Sequence, residues 1–467
     1  METDTIVALA TPPGIGAVGL VRLSGSKAVG VASALTSRPA DQWEPRVATL
    51  CHLLHPNPAA RPDDKDPAKL DQALVTVFPG PASYTGEDVV EISTHGGYLV
   101  PRSVVEACLL LGAREAEAGE FTQRAFLNGK LDLTQAEAVG DLVSAVAPQA
   151  KAVALHQLAR GLGDRVSDLR HQVIGLEALL IQHVDFPEED EAPVGLERVA
   201  EEGRRVALTL ANLIATAPTG ELLRNGALTV LAGAPNAGKS SLFNALVGTA
   251  RAIVTDEPGT TRDALEATVS IDGFPFRLVD TAGLRRDPGT VESLGIEVAE
   301  RYLSQADLVL FCNESGQGGL SDEALDFIAS VEAPKLLVHT KADVERGDGP
   351  TVASHSPDLG FHGSVAVSSF TGQGLDTLAD QMNALVFQGV VENRGEVPVV
   401  TNARQRSLLE TAEDEVAKFA KAIEAGVPPE AAGSHLKSAE SALEEMLGIV
   451  STDDVLDRVF REFCVGK

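Results

Sequence analysis

Residues 227–246 of this 467-residue chain read ALTVLAGAPNAGKSSLFNAL, and this stretch decides the fold of the middle of the chain. An apolar run leads into the glycine-containing loop Gly233–Ser240, and a helical pattern follows. In such a strand, loop and helix, backbone N–H groups and the helix dipole surround bound phosphates. Lys239 is placed to reach the outer phosphates and Ser240 to ligate Mg²⁺. The stretch predicts a nucleoside-phosphate site in an α/β domain.

Three later motifs point to guanine as the base. An apolar run ends at Asp280, where such folds place the acidic residue that supports Mg²⁺, and Gly283 follows at a position that can sense the γ-phosphate. A second run leads through Thr340 and Lys341 to Asp343, whose carboxylate can accept from the ring N–H and the exocyclic amine of guanine together. A third run ends at Ser368-Ser369, which we expect to form a loop over the base.

The hydrolytic machinery departs from that of Ras-like enzymes. Leu284 follows the Asp280–Gly283 motif, so the glutamine that would orient the attacking water is missing. The upstream loop Thr255–Asp263 offers Thr261 to Mg²⁺ and the γ-phosphate, and its Pro and Gly suit a switch loop. Arg262 is either a finger toward the phosphates or an ion-pair partner of its neighbour Asp263.

Charge and cysteine content limit the classes of function. Lys and Arg number 38 against 67 Asp and Glu, a net charge of −29, which predicts a soluble chain without a general polyanion-binding surface. Any contact with nucleic acid then needs a local basic patch. We expect no signal peptide and no membrane span. The four cysteines are too widely spaced for a disulfide or zinc framework, so a reducing cytoplasm is expected.

Composition divides the chain into zones and predicts a multidomain fold. The prediction is an α+β N-terminal domain, an all-α central domain and an inserted α/β P-loop GTPase domain of the Ras-like type. The inserted sheet should contain a hairpin that turns at Asp272-Gly273. The expected boundaries are 1–120 for the first domain, 121–223 plus 388–467 for the helical domain, and 224–387 for the nucleotide domain.

With these motifs in place, the chain closely resembles the MnmE (TrmE) family of tRNA modification GTPases. The resemblance extends over nearly the whole length and includes stretches outside the nucleotide domain. These stretches are Tyr84–Asp88, Gly119–Phe121, Arg124–Leu133, Asp185–Glu189, Thr401–Arg404 and Phe463–Lys467.

The resemblance implies a cytoplasmic homodimer that works with the flavoprotein MnmG (GidA) in a heterotetramer. Together they install a carboxymethylaminomethyl- or aminomethyl-type group at carbon 5 of the wobble uridine of certain tRNAs. A one-carbon tetrahydrofolate, 5-formyl or methylene, is implied as cofactor of the N-terminal, dimerisation domain, in contact with Arg22, Glu91, Lys130 and Lys467. We assign Arg22 and Lys130 to its glutamate tail and Glu91 to an N–H face of its pterin.

The resemblance also implies how GTP is hydrolysed. The nucleotide domains dimerise in the presence of K⁺, which Asn236, Thr255, Glu257 and Thr260 would hold, while Ser240 and Thr261 hold Mg²⁺. Glu292 would orient the water, so the implied catalytic residues are Glu292, Lys239 and Thr261. The implied GTP-binding residues are Asn236, Ala237, Gly238, Lys239, Ser240, Ser241, Thr255, Thr260, Thr261, Asp280, Gly283, Thr340, Lys341, Asp343, Ser368 and Ser369.

Two residues depart from the family pattern. Thr340 replaces the usual Asn of the base-reading motif and Ser369 the usual Ala, changes expected to weaken nucleotide affinity without altering base choice.

Cys464 is either a buried structural thiol or a functional one, and the family ending favours function. Two other classes stay open: a regulatory GTPase without tRNA chemistry, and a folate-binding module that has lost turnover.

Overall fold

The structure is a computed structural model that describes residues 4–56, 69–185, 195–249, 265–280, 301–315, 328–344, 360–388, 400–461 and 463–467. By its internal contacts the chain divides into two compact units. Residues 1–140 and 444–467 form the first unit, and residues 141–443 form the second. This division does not test the three predicted domain boundaries, which stay a prediction.

The described residues contain strands in both units and helices throughout. The strands are β1 (Ile6–Leu9), β2 (Val18–Ser24), β3 (Thr49–Leu54), β4 (Lys69–Phe78), β5 (Val89–His95), β6 (Arg114–Glu115), β7 (Ala227–Gly233), β8 (Leu265–Ile271), β9 (Phe274–Asp280), β10 (Leu308–Glu314), β11 (Lys335–Thr340) and β12 (Gly363–Ala366). The α-helices are α1 (Ala28–Thr36), α2 (Leu99–Leu110), α3 (Glu120–Leu127), α4 (Leu133–Ser144), α5 (Pro148–Leu158), α6 (Gly161–Asp185), α7 (Leu196–Ile214), α8 (Ala217–Asn225), α9 (Lys239–Thr249), α10 (Leu375–Val386), α11 (Ala403–Glu424), α12 (Pro429–Leu447) and α13 (Asp453–Phe460).

The first unit is built on a mixed sheet with strand order β3-β4-β5-β2-β1-β6. All neighbouring pairs are antiparallel except β1 and β6, which are parallel. Because side chains alternate along a strand, one face carries Val21 and Leu23 into the core beneath α1 and α2, while the other face carries Arg22. Arg22 on this second face is one of the predicted site residues.

A network of partly buried ion pairs joins Asp4 and Glu87 to α3. The guanidinium of Arg124 is only 9% exposed and contacts Asp4, Glu87 and Glu120 at 2.8, 3.1 and 2.8 Å. Burial raises the pKa of the Glu120 carboxyl, but hydrogen bonds from Arg114, a backbone N–H and Arg124 outweigh it and hold the pKa below its ordinary value. The carboxylate therefore stays ionised in a partly buried site.

The nucleotide part of the second unit is a six-stranded sheet of order β12-β11-β10-β7-β9-β8. Strands β12, β11, β10, β7 and β9 run parallel, and β8 pairs antiparallel with β9. Asp272 and Gly273 join those two strands with φ of 47° and 89°, so the predicted hairpin is confirmed. The parallel strands bring their carboxyl ends to one edge, where ligands bind in sheets of this kind.

The helical part of the second unit centres on the pairing of α7 with α11. Each helix buries one apolar face, and Gly203 allows close approach because a Cβ there would lie 3.3 Å from the ring of Phe419. One helical stretch among the described residues, Leu196–Asn225, is long and apolar enough to cross a membrane by length and composition only, a test that a core helix also passes. Its first helix, however, has the alternating polar and buried faces of a core helix.

Sequence and structure therefore agree on the fold class. The chain is multidomain, with an α+β N-terminal domain, an all-α domain and an α/β P-loop GTPase domain of the Ras-like type.

Candidate functional site

The phosphate loop lies between β7 and α9, as the sequence predicted. Gly233 has a φ of 131°, and a Cβ there would collide with the carbonyl oxygen of Cys312 on the neighbouring strand. Asn236 adopts a left-handed φ of 62°, which Asn tolerates better than most residues. Lys239 is 6% exposed, and its ammonium donates to the carbonyls of Gly233 and Ala234 at 2.9 and 2.8 Å. The Lys239 ammonium thus contacts backbone carbonyls of its own loop.

A hydroxyl and a buried carboxylate meet beside this loop. Because β9 runs parallel to β7, Asp280 lies opposite Leu231 in register, close to the start of α9. Ser240 Oγ donates to Asp280 Oδ2 at 2.5 Å, and the Asp280 side chain is fully buried. A hydroxyl backed by a carboxylate suits Mg²⁺, which keeps several waters and takes few protein oxygens beside the phosphates.

Thr340, at the end of β11, fastens the base-reading segment to the phosphate loop. Its side chain is 1% exposed, and its Oγ1 donates to the carbonyl of Ala237 at 2.6 Å. Gly238 is needed beside it, since a Cβ at that position would lie 3.1 Å from the threonine side chain. The replacement of Asn by Thr therefore keeps a hydrogen bond between the two segments.

The predicted base-reading residues are brought together by a second hydroxyl. The exposed carboxylate of Asp343 accepts a hydrogen bond from Ser368 Oγ at 2.6 Å, and the backbone N–H of Ala342 donates to Val367 O at 3.1 Å. Lys341 has a φ of 57° and pairs with Glu314 at 3.0 Å. The Ser368 hydrogen bond engages one of the two carboxylate oxygens, Oδ1.

The remaining predicted residues of this site divide into two groups. Ser241 is exposed on the first turn of α9 and Ser369 is half-buried beside Ser368. The other group lies outside the described residues, so its placement stays a prediction. It comprises Thr255, Glu257, Thr260, Thr261, Gly283 and Glu292, together with Arg262 and Leu284. Among the residues that the structure does describe, no group of three or more His, Cys, Asp and Glu is placed to hold a metal ion.

A second candidate site lies in the first unit, on the face of the sheet opposite α1 and α2. Arg22 and Glu91 are cross-strand partners on β2 and β5. The guanidinium lies 2.8 Å from the carboxylate, and the two side chains are 15% and 27% exposed. The residues assigned to opposite ends of a folate therefore bind each other, because the strand register places them side by side.

Aromatic rings and the last residues of the chain surround this pair. The centre of the Arg22 guanidinium lies 5.7 Å from the Tyr84 ring centroid and 5.8 Å from that of Phe121. Arg22 also donates to the carbonyl of Gly466 at 3.3 Å. The Phe121 N–H donates to Lys467 O at 3.2 Å. The C-terminal residues thus form one wall of the site.

Lys130 and Cys464 lie at the edges of the same arrangement. Lys130 Nζ donates to Pro81 O at 3.0 Å, in the loop that carries Tyr84. Cys464 is exposed, so it is not the buried thiol of the first alternative, and its carbonyl accepts from Gly119 N at 3.4 Å. Sequence reasoning did not include Tyr84 and Phe121, although both belong to stretches that carry the family resemblance.

Comparisons with known proteins settle the family. Residues 133–464 match the family model described as the MnmE helical domain, and residues 5–130 match that of the GTP-binding protein TrmE N-terminus. The chain belongs to the MnmE family of tRNA modification GTPases. The protein named tRNA modification GTPase MnmE from Moorella thermoacetica is 40% identical to this chain, and the match covers 100% of both chains.

A second curated relative carries the same name. The MnmE protein of Lactobacillus helveticus, also named a tRNA modification GTPase, is 38% identical over 100% of this chain and 99% of its own. Among solved structures, the G domain of the T. maritima FeoB iron transporter is 30% identical, covering 34% of this chain and 96% of that one, with a TM-score of 0.25.

Proposed function

We propose that the chain binds and hydrolyses GTP as part of tRNA modification. The observation that carries the proposal is the arrangement of Lys239, Ser240 and Asp280 at the phosphate loop, with Asp343 at the base-reading segment, in a chain that belongs to the MnmE family throughout its length. Lys239 is placed to exchange its loop carbonyls for phosphate oxygens. The second oxygen of Asp343 is left for the N–H groups of guanine.

Catalysis in this proposal is a matter of positioning and electrostatics. Mg²⁺ at Ser240, supported by Asp280 and joined by Thr261, would neutralise charge on the β- and γ-phosphates. K⁺, which Asn236, Thr255, Glu257 and Thr260 would hold when two nucleotide domains dimerise, would supply further positive charge for the phosphates. Glu292 would orient the attacking water in place of the missing glutamine.

The first unit is proposed to bind a one-carbon tetrahydrofolate, which supplies the carbon that is transferred. The Arg22–Glu91 pair offers an N–H donor edge and a carboxylate side by side, and Tyr84 and Phe121 offer apolar surface beside it. Lys130 and Lys467 supply positive charge suited to a glutamate tail. Because the pair is already formed, we propose that a folate binds to the pair as one unit.

The remaining parts of the proposal follow from family membership. The chain would act on the wobble uridine of certain tRNAs in the cytoplasm, as a homodimer, together with the flavoprotein MnmG. Nucleoside analysis of tRNA from a strain lacking the gene tests this step. Unchanged levels of wobble modification in that strain would refute it.

Hydrolysis is tested by turnover of GTP and ATP in potassium and in sodium at equal ionic strength. We expect GTP to be used in preference to ATP, and potassium to accelerate the reaction. Ser240→Ala should reduce turnover strongly, whereas Ser434→Ala, on an exposed helix surface, should not. Equal rates in the two salts, or equal use of the two nucleotides, would contradict the proposal.

The folate site is tested separately by calorimetry with a one-carbon tetrahydrofolate. Deleting residues 464–467 removes the carbonyls that accept from Arg22, Gly119 and Phe121, so folate affinity should fall. Potassium-dependent GTP hydrolysis should stay close to normal. Arg102→Ala is the control, because Arg102 is 79% exposed and its ion pair in the described part of the chain is with Glu106, one turn away. Unchanged folate affinity after the deletion would exclude these residues from the site.

A further inference from the structure

One aromatic side chain at the base-reading loop has no role in the function proposed above. Phe370 follows Ser368 and Ser369 and is 91% exposed, more than any other aromatic residue among those the structure describes. Aromatic residues make up only 4% of the chain. A single exposed apolar residue is unremarkable by itself, but the hydrogen bonds of the loop around this ring are not.

The loop is fastened on both sides of Phe370. Before it, Ser368 N donates to Gln373 O at 2.9 Å. After it, Thr371 N donates to Ser368 Oγ at 3.1 Å and Gly372 N to Ser368 O at 2.9 Å. These bonds close a tight turn, and Phe370 is one of the residues that form the turn. The turn therefore fixes the backbone at Phe370, and the ring is exposed to solvent.

The same hydroxyl that closes the turn also holds the base-reading carboxylate. Ser368 Oγ donates to Asp343 at 2.6 Å and accepts from the Thr371 N–H, so the turn and the carboxylate are parts of one hydrogen-bonded unit. Asp343 is separated from Phe370 by that single serine and one further residue. A planar purine bound through its edge by the carboxylate would leave its faces for other side chains, and Phe370 lies two residues along the chain from Ser368.

We propose that Phe370 packs its ring against one face of the guanine base held by Asp343. This inference rests on the proposed GTP binding and names a residue that contributes affinity to it. Stacking on an aromatic ring does not discriminate between bases, because every base has a π-face. Base choice then belongs to Asp343, and Phe370 contributes binding strength.

The test is calorimetric titration of GDP and of inorganic tripolyphosphate into the full chain and its variants. Phe370→Ala should lower GDP affinity by about tenfold, the effect of losing one stacked aromatic. Phe370→Trp should retain it. Tripolyphosphate, which reaches only the phosphate loop, should bind both variants as it binds the wild type. In Phe370→Trp, GDP should quench tryptophan fluorescence beyond the signal of Trp43, the one natural tryptophan.

Several outcomes would overturn the inference. The inference is wrong if Phe370→Ala binds GDP as tightly as the wild type does. If that variant also self-associates more weakly, the ring belongs to a protein contact. Equal losses for GDP and tripolyphosphate would make the residue structural. A wild-type chain that binds neither GDP nor GTP would overturn the proposed function as well, which separates that failure from the failure of Phe370 alone.

Discussion

The hydrogen bond between Thr340 and the phosphate loop yields a quantitative prediction. Thr340→Val keeps the shape of the side chain but replaces the hydroxyl that lies 2.6 Å from the carbonyl of Ala237 with a methyl group. Both residues are almost fully buried, at 1% and 5% exposure. A buried carbonyl that loses its donor costs about 1–3 kcal/mol.

Whether this cost lowers nucleotide affinity depends on the conformation of the phosphate loop when no nucleotide is bound. If the phosphate loop relaxes away from the methyl group when no nucleotide is bound, the cost is incurred only on binding. At 1.4 kcal/mol per factor of ten, GDP affinity then falls by about 5- to 150-fold. Thr340→Ser keeps the hydroxyl, so its affinity should stay within about threefold of wild type.

The assay is calorimetry with GDP and with tripolyphosphate. Because the bond positions the phosphate loop, Thr340→Val should weaken both ligands by the same factor, unlike Phe370→Ala, which should weaken GDP alone. Unchanged GDP affinity in Thr340→Val would refute the reasoning. So would a serine variant as weak as the valine variant, because the methyl group, and not the hydroxyl, would then be responsible.

Three further predictions follow from the charges and thiols. Hydrogen bonds from arginine partners hold the pKa of Glu120 below its ordinary value. The stabilisation by the Glu120 carboxylate is therefore present above about pH 4.3 and is lost as the pH falls through the lowered pKa. The urea midpoints of the wild type and of Glu120→Gln should converge at that low pH. Burial raises the pKa of the Cys108 and Cys312 thiols to about 12. Iodoacetamide at pH 8 should therefore label the exposed Cys464 and leave Cys108 and Cys312 unlabelled, which peptide mass spectrometry would measure. Asp280→Asn should lower Mg²⁺ affinity in the GTP complex by about 10- to 100-fold, measured by Mg²⁺ titration of turnover.

Each of these predictions has an outcome that contradicts it. Urea midpoints that differ equally at neutral and acidic pH would mean that Glu120 acts through shape rather than charge. Labelling of Cys108 before Cys464 would show that the first unit opens readily. Unaltered Mg²⁺ dependence in Asp280→Asn would leave the ion without support from that carboxylate.

The nucleotide site was the part most open to prediction from sequence. Lys239 and Ser240 lie within one strand, loop and helix, so their relation is local, and parallel strand ends explain why Asp280 and Asp343 share an edge of the sheet with them. The partner of Thr340 was not predictable in this way. It depends on how closely β11 approaches the phosphate loop, which no periodicity in the sequence reports.

The site in the first unit shows a different limit. Arg22 and Glu91 were both named, yet their pairing was not, because it depends on strand register between segments 69 residues apart. The last residues of a chain normally fray, so general principles predict no fixed contacts for Gly466 and Lys467. Only the family resemblance pointed the other way, and the described contacts of Gly466 and Lys467 agree with it. The assignments to Thr255, Thr261 and Glu292 lie outside the described residues and stay predictions.

The discontinuous first unit has a consequence for the order of events during synthesis. Its sheet is complete by residue 140, but residues 444–467 belong to the same unit and supply one wall of the Arg22 site. At about 5–20 residues per second, a ribosome needs roughly 15 to 60 s to add the intervening segment. During that time Arg22 lacks the Gly466 carbonyl, and the backbone N–H groups of Gly119 and Phe121 lack their acceptors. A ribosome that stalls anywhere in this interval leaves a chain that contains every described strand of this sheet but lacks one wall of the candidate cofactor site.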